Sequence, residues 1–220
     1  MTCAKAAFQV TPEEFISKMD FMMNTTMRIP FKLAVSLLFI TCSATAQADL
    51  QEGITAYRKG NYQAALKEIR PLAENGDAKA QALLGEIYDS GKGVPLSHTE
   101  AASWYRKAAE QGDATAQTAL GVMYENGVGV PQDNKEAVSW YQKAAEQGSP
   151  EAQYILGGLY KRGQGLLPAD LVQAHKWFNL AAATGFEIAN EDREEVEALM
   201  NKEQIEKAKL MAKEWLEKHK

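Results

Sequence analysis

The chain has 220 residues and a formal net charge of −5, with 45% apolar and 24% charged residues. Those values fit one soluble folded domain or one repeat array. The acidic balance argues against nucleic acid as a partner, because phosphate binding needs a basic face, and against a purely electrostatic grip on anionic lipid.

Residues 1–26 carry Thr11-Pro-Glu-Glu14, a helix-start pattern that no secretory head needs. They read as an over-extended N-terminus, with translation starting at Met27. Residues 27–48 read as a signal peptide. Arg28 and Lys32 form a basic head, an apolar run covers 33–40, and Ala44-Thr-Ala46 and Ala46-Gln-Ala48 are small-x-small cleavage patterns. The apolar run is shorter than the roughly 20 residues of a comfortable membrane span; retention as an anchor is the alternative. Phe39-Ile40-Thr41-Cys42 matches a bacterial lipid-anchor site poorly. Cys3 and Cys42 are the only cysteines, and both precede the cut. A mature chain without cysteine is held by packing and not by disulfides. The expected location is the periplasm or the outside of the cell, with cleavage after Ala46 or Ala48 and membrane contact only during export.

Trp104, Trp140 and Trp177 stand 36 and 37 residues apart. They sit in matching phrases: Ala-Ser-Trp-Tyr-Arg-Lys-Ala-Ala, Val-Ser-Trp-Tyr-Gln-Lys-Ala-Ala and His-Lys-Trp-Phe-Asn-Leu-Ala-Ala. A fixed period of roughly 20–50 residues means stacked units and not one globular core. The units run 77–112, 113–148 and 149–185, preceded by a partial unit over 49–76 and followed by closing helices over 186–220.

Each unit opens with a helix. Ala80, Leu84 and Tyr88 lie four apart on one face, as do Ala116, Leu120, Tyr124 and Ala152, Leu156, Tyr160. Gly85, Gly121 and Gly157 sit inside it, each costing roughly 1 kcal/mol against Ala. A cost repeated in every unit predicts a close approach by the partner helix. A Gly-x-Gly turn ending in Pro follows and stops the helix. It lacks the Gly-Lys-Ser/Thr ending and the preceding strand of a phosphate loop.

The second helix places Ala101, Trp104, Tyr105, Ala108 and Ala109 at i, i+3, i+4, i+7 and i+8. Ala137, Trp140, Tyr141, Ala144, Ala145 repeat the pattern, and so do Ala174, Trp177, Phe178, Ala181, Ala182. Rings alternate with alanines, so the rings of one helix fit over the alanines of a neighbour. Core packing is favoured over a stacking platform for bases or sugars. Gly112, Gly148 and Gly185 end the second helix, and Asp77, Asp113 and Ser149 are suited to cap the next first helix. No strand is expected; the fold class is all-α.

These residues resemble the Sel-1-like repeat, a relative of the tetratricopeptide repeat. The matching pattern is Ala-x-Ala-Gln-x-x-Leu-Gly-x-x-Tyr-x-x-Gly-x-Gly, then Ala-x-x-Trp-Tyr-x-Lys-Ala-Ala-x-x-Gly. Unit three departs at Phe178 and Leu180. Residues 49–76 are closer to a plain tetratricopeptide unit, read as an N-terminal half repeat. The segment from Asn201 to Trp215 resembles the closing helix of such arrays, with Asn201 and Gln204 placed for a capping box. The resemblance implies a right-handed α/α solenoid of helix-turn-helix repeats with C-terminal capping helices and with the first helices on the concave face. It also implies an adaptor that binds a protein or peptide, in envelope assembly, restraint of a membrane sensor or host contact. Cysteine-rich secreted relatives have been linked to β-lactam binding or cleavage; a mature chain without cysteine departs from them, and that hydrolase reading is the alternative.

Matching to the tetratricopeptide pattern makes the unit-variable positions of the first helices the candidate protein-binding residues. These are Tyr57 and Arg58 in the leading unit, then Lys79, Ala82, Glu86, Asp89 and Ser90. Unit two supplies Thr115, Thr118, Val122, Glu125 and Asn126; unit three supplies Glu151, Tyr154, Gly158, Lys161 and Arg162. The row runs from acidic to basic, a gradient that would orient a partner; an ordinary solvated face is the alternative. His98 in a loop, His175 and His219 share no metal-ligand spacing, and neither Gly-x-Ser-x-Gly nor His-Glu-x-x-His occurs. No catalytic residue, cofactor or metal is expected. Ile188, Val196, Leu199, Ile205, Leu210 and Trp215 are expected to cover the open end of unit three.

Overall fold

The computed structural model describes residues 47–164 and 167–219. The expected over-extended N-terminus, the signal peptide up to Ala46 and both cysteines lie outside the described residues. The described residues form ten helices and no strand: α1 (47–58), α2 (Tyr62–Glu74), α3 (Ala78–Ser90), α4 (His98–Glu110), α5 (Ala114–Asn126), α6 (Asn134–Glu146), α7 (Pro150–Arg162), α8 (Leu171–Ala183), α9 (Ile188–Glu197) and α10 (Lys202–Lys218).

From α2 to α8 each helix packs on the next, and α3 also touches α5. That serial packing is how a solenoid buries faces that no single unit could bury alone. Asp77, Asp113 and Ser149 cap the first helices through the amides of Ala80, Ala116 and Ala152, as their positions predicted. Ser97, Asp133 and Asp170 cap the second helices in the same way. His98, expected in a loop, is therefore the first residue of α4.

The close approach inferred from the repeated glycines is present. A Cβ on Gly85 would lie 2.8 Å from the Tyr105 ring, on Gly121 2.6 Å from Tyr141, and on Gly157 2.6 Å from Phe178. The leading segment, read as half a repeat, holds the whole pair α1 and α2, joined by residues 59–61. Gly53 is its contact glycine: a Cβ there would meet Ile69 at 2.7 Å. An isoleucine in place of the ring, and no Trp-Tyr phrase, hid this pair in the sequence.

Trp140 and Trp177 are buried and Trp104 is partly buried, which supports core packing over an open stacking platform. Each indole carries an ammonium on its face: Lys107 at 3.6 Å, Lys143 at 3.7 Å and Lys176 at 3.8 Å from the ring centroid. The first two lysines follow their Trp by one turn. Unit three has Leu180 there, and Lys176, just before Trp177, covers the ring instead. Leu180 is released to the core with Ala212 and Trp215 of α10.

A glutamine stitch crosses the units. Gln81 donates to the Ala73 carbonyl at 3.0 Å and accepts from Gln111 at 2.7 Å. Gln117 donates to Ala109 at 3.0 Å and accepts from Gln147 at 2.7 Å.

The last two helices both rest on α8. Ala189 and Val196 of α9 close over Ala174, Phe178 and Ala181. Helix α10 starts with the expected Asn201–Gln204 capping box, and its Trp215 donates from Nε1 to Glu146 Oε2 at 2.9 Å, tying the tail to the end of α6. Of the six apolar residues expected to cover unit three, Val196 is buried and Ile205 and Trp215 are half-buried. Ile188, Leu199 and Leu210 are exposed by 54, 66 and 55%. The buried stripe of α10 is narrow, Ala208 and Ala212 one turn apart, so small residues make the contact and Leu210 lies outside it.

Candidate functional site

The first helices α1, α3 and α5 share one hollow of about 490 Å³. Ile54, Ala82, Leu83 and the Tyr105 ring make its apolar surface, while Arg58, Lys79, Glu86, Asp113 and Thr115 bring polar groups to it. Tyr57 donates to Glu86 Oε1 at 2.9 Å, joining α1 to α3, and the Lys92 ammonium sits 5.4 Å from the Tyr57 ring centroid. Burial holds the Tyr57 hydroxyl above its ordinary pKa. Burial, then the charges of Asp89 and Glu86, do the same for Tyr105. The Asp113 carboxylate is occupied by the Ala116 amide at 2.8 Å. Arg58 and Lys79 are exposed and make no ion pair among the described residues. The hollow therefore offers apolar contact with two open cations at its edge.

Six of the residues singled out from the sequence meet here: Tyr57, Arg58, Lys79, Ala82, Glu86 and Thr115. Ile54, Leu83, Tyr105 and Asp113 were not among the binding candidates; Tyr105 was read as core packing and Asp113 as a helix cap. A signal for Leu83 existed: Leu83, Ala119 and Ile155 occupy one repeat position that stays apolar while its size changes, beside the constant core leucine.

The other candidate residues lie elsewhere. Asp89 takes a hydrogen bond with His98 Nδ1 at 2.8 Å, and Ser90 Oγ donates to the Ile87 carbonyl at 3.4 Å. Thr118 is buried and donates to the Ala114 carbonyl at 2.8 Å, so it offers an incoming chain nothing. Val122 and Glu151 are exposed, and Asn126 donates to the Val122 carbonyl at 2.9 Å. Glu125 lines a second hollow, between α5, α6 and α7, where Tyr141 donates to its Oε2 at 2.7 Å. Tyr154, Gly158, Lys161 and Arg162 line a third, of about 240 Å³, with Asp192 of α9.

Helix α9 changes the electrostatics of that last group. Tyr154 donates to Asp192 Oδ2 at 2.7 Å. Lys161 donates to Asp192 at 3.1 Å and to Glu195 at 2.7 Å. The Glu195 bond, opposed in part by burial, holds Lys161 above the usual lysine pKa. At the basic end of the expected gradient, two carboxylates from the closing helix thus answer Lys161, while Arg162 is exposed and makes no ion pair among the described residues.

The Sel1 repeat family matches residues 78–113, 114–149 and 150–186, each stretch starting one residue after the capping Asp77, Asp113 or Ser149. Among solved structures, a Sel1 repeat protein from Oxalobacter formigenes is 37% identical with a TM-score of 0.63, over 66% of this chain and 57% of that one. A protective antigen present in uropathogenic Escherichia coli strains, c5321, displays an SLR fold and is 28% identical with a TM-score of 0.57, over 83% of this chain and 48% of that one. The chain thus spans roughly half the length of the relatives it matches. The comparison with curated proteins gives no match. Three consecutive repeats, each with its glycine–ring contact and capped first helix, show that the chain belongs to the Sel1-repeat proteins.

Proposed function

We propose that this chain is a binding scaffold that holds an extended segment of another protein in the hollow between α1, α3 and α5. Sel1-repeat proteins are commonly non-catalytic protein–protein interaction scaffolds. The observation that carries the reading is the hollow itself. Its apolar contacts, Ile54, Leu83 and Tyr105, come from three different helices, and Arg58 and Lys79 stand at its edge without an ionic partner among the described residues. Apolar burial supplies affinity there, while the open cations favour a segment with an acidic residue beside its apolar one.

The double variant Arg58→Glu/Lys79→Glu tests this without touching the core. Purified wild-type and variant chains are compared for the host proteins they retain, with Lys143→Glu on α6 as a control. Loss of a retained partner by the double variant alone supports the reading; identical sets from all three chains contradict it. The export expected from residues 27–48 belongs to the same proposal, with the partner an envelope or extracellular protein. N-terminal sequencing of the protein from cell fractions tests it: a start at Gln47 or Asp49 supports export, and a cytosolic chain beginning at Met1 or Met27 contradicts it.

A further inference from the structure

One repeat position is occupied in turn by Asp89, Glu125 and Lys161, and its surroundings differ in each unit. Asp89 is engaged by His98, and Lys161 by Asp192 and Glu195. Glu125 faces a hollow of about 370 Å³ and, alone among the three, is in no ion pair among the described residues. Asn134 stands where His98 stands in the preceding unit, so no imidazole covers the carboxylate. Tyr141 donates to Glu125 Oε2 and leaves Oε1 open. Burial first, and then this bond, push the Tyr141 hydroxyl up, so it keeps its proton and pins the carboxylate.

The other walls carry a consistent chemistry. Gln132 Nε2 donates to the Glu125 carbonyl at 2.8 Å, which leaves its side-chain oxygen as an acceptor. Asn134 adds a second amide, and Gln164 a third whose Oε1 already accepts from Arg162 Nε at 2.6 Å. Val138 and Leu159 form an apolar flank. A carboxylate with amide oxygens beside an apolar wall matches a long cationic side chain, which lays its methylenes on the wall and its N–H donors on the oxygens.

We propose that this hollow receives an arginine or lysine side chain of the polypeptide held by the first helices. The proposal rests on the scaffold reading and adds a specificity to it. Arginine suits the site better than lysine, because its planar head presents several donors at once.

Selection of random linear peptides on the full-length chain tests it, with the selected peptides then measured against Glu125→Gln, Asn134→Ala and Arg58→Glu/Lys79→Glu. Glu125→Gln keeps an oxygen for Tyr141, and an unchanged melting temperature verifies the fold. The expected result is enrichment of Arg or Lys at one peptide position. Glu125→Gln should weaken such peptides on the order of tenfold while leaving their apolar preference intact. Peptides without a basic preference, or with equal affinity for Glu125→Gln, overturn the cation site and leave the scaffold reading standing. Failure to select any peptide, or binding that ignores Arg58→Glu/Lys79→Glu, overturns the scaffold reading and the cation site with it.

Discussion

Thr184 turns its hydroxyl to the Ala181 carbonyl at 2.7 Å, and the buried Gln153 Oε1 is left without a hydrogen-bond partner among the described residues. Gln111 and Gln147 follow α4 and α6 where Thr184 follows α8, and each donates to the glutamine of its own unit. Unit three keeps the acceptor and has lost the donor. Thr184→Gln should complete the stitch and stabilise the chain by about 1 kcal/mol, read as a higher urea midpoint at unchanged m-value. An unchanged or lower midpoint would remove the stitch from the account.

The contact glycines make a prediction whose sign opposes helix propensity. Alanine favours a helix interior by roughly 1 kcal/mol over glycine. Gly121→Ala should nevertheless destabilise, because its Cβ would meet the buried Tyr141 ring at 2.6 Å; overpacking of this kind costs about 1–3 kcal/mol. Gly158 on α7 is the control. A Cβ there meets first the far end of the Arg162 side chain, at 3.1 Å, which can swing away, so Gly158→Ala should be neutral or stabilising. Thermal denaturation of the two variants, run side by side, decides it.

That contrast also marks what was legible in the sequence. Gly121 recurs at the repeat period, and recurrence in one chain signals a shared geometric demand, so the helix pairs and their contact could be read directly. Leu83 and Ile54 were harder. They reach the hollow only because α1, α3 and α5 are stacked side by side, a relation between units that no single unit's pattern contains. The ion pairs of Lys161 were hidden for a similar reason: its partners Asp192 and Glu195 come from a helix outside the repeat. Lys176 shows the converse, an interaction kept from a different position, which position-by-position matching of units cannot see.

His175 gives the end of the solenoid a pH dependence. Its side chain is fully buried on α8, with Nε2 3.5 Å from Glu197 Oε2 of α9, and Glu197 also pairs with Lys209 of α10 at 3.0 Å. Burial, opposed by Glu197, holds its pKa below the usual 6.5. A histidine depressed in the folded state takes up its proton more readily when unfolded. Its contribution is therefore present above about pH 6.5 and is lost as pH falls below it. Unfolding free energy should drop more between pH 7 and pH 5 for the native chain than for His175→Gln. Parallel curves would assign the pH dependence to other groups.

The most direct test of the scaffold reading is site-specific photo-crosslinking in the native cell. A photoreactive phenylalanine is placed at Thr115, on the wall of the hollow, or at Lys143, on the Trp140 side of α6. The account predicts a discrete adduct with one partner from Thr115 and none of that mass from Lys143. The same adduct from Lys143, or none from Thr115 while the partner still co-purifies, would contradict it.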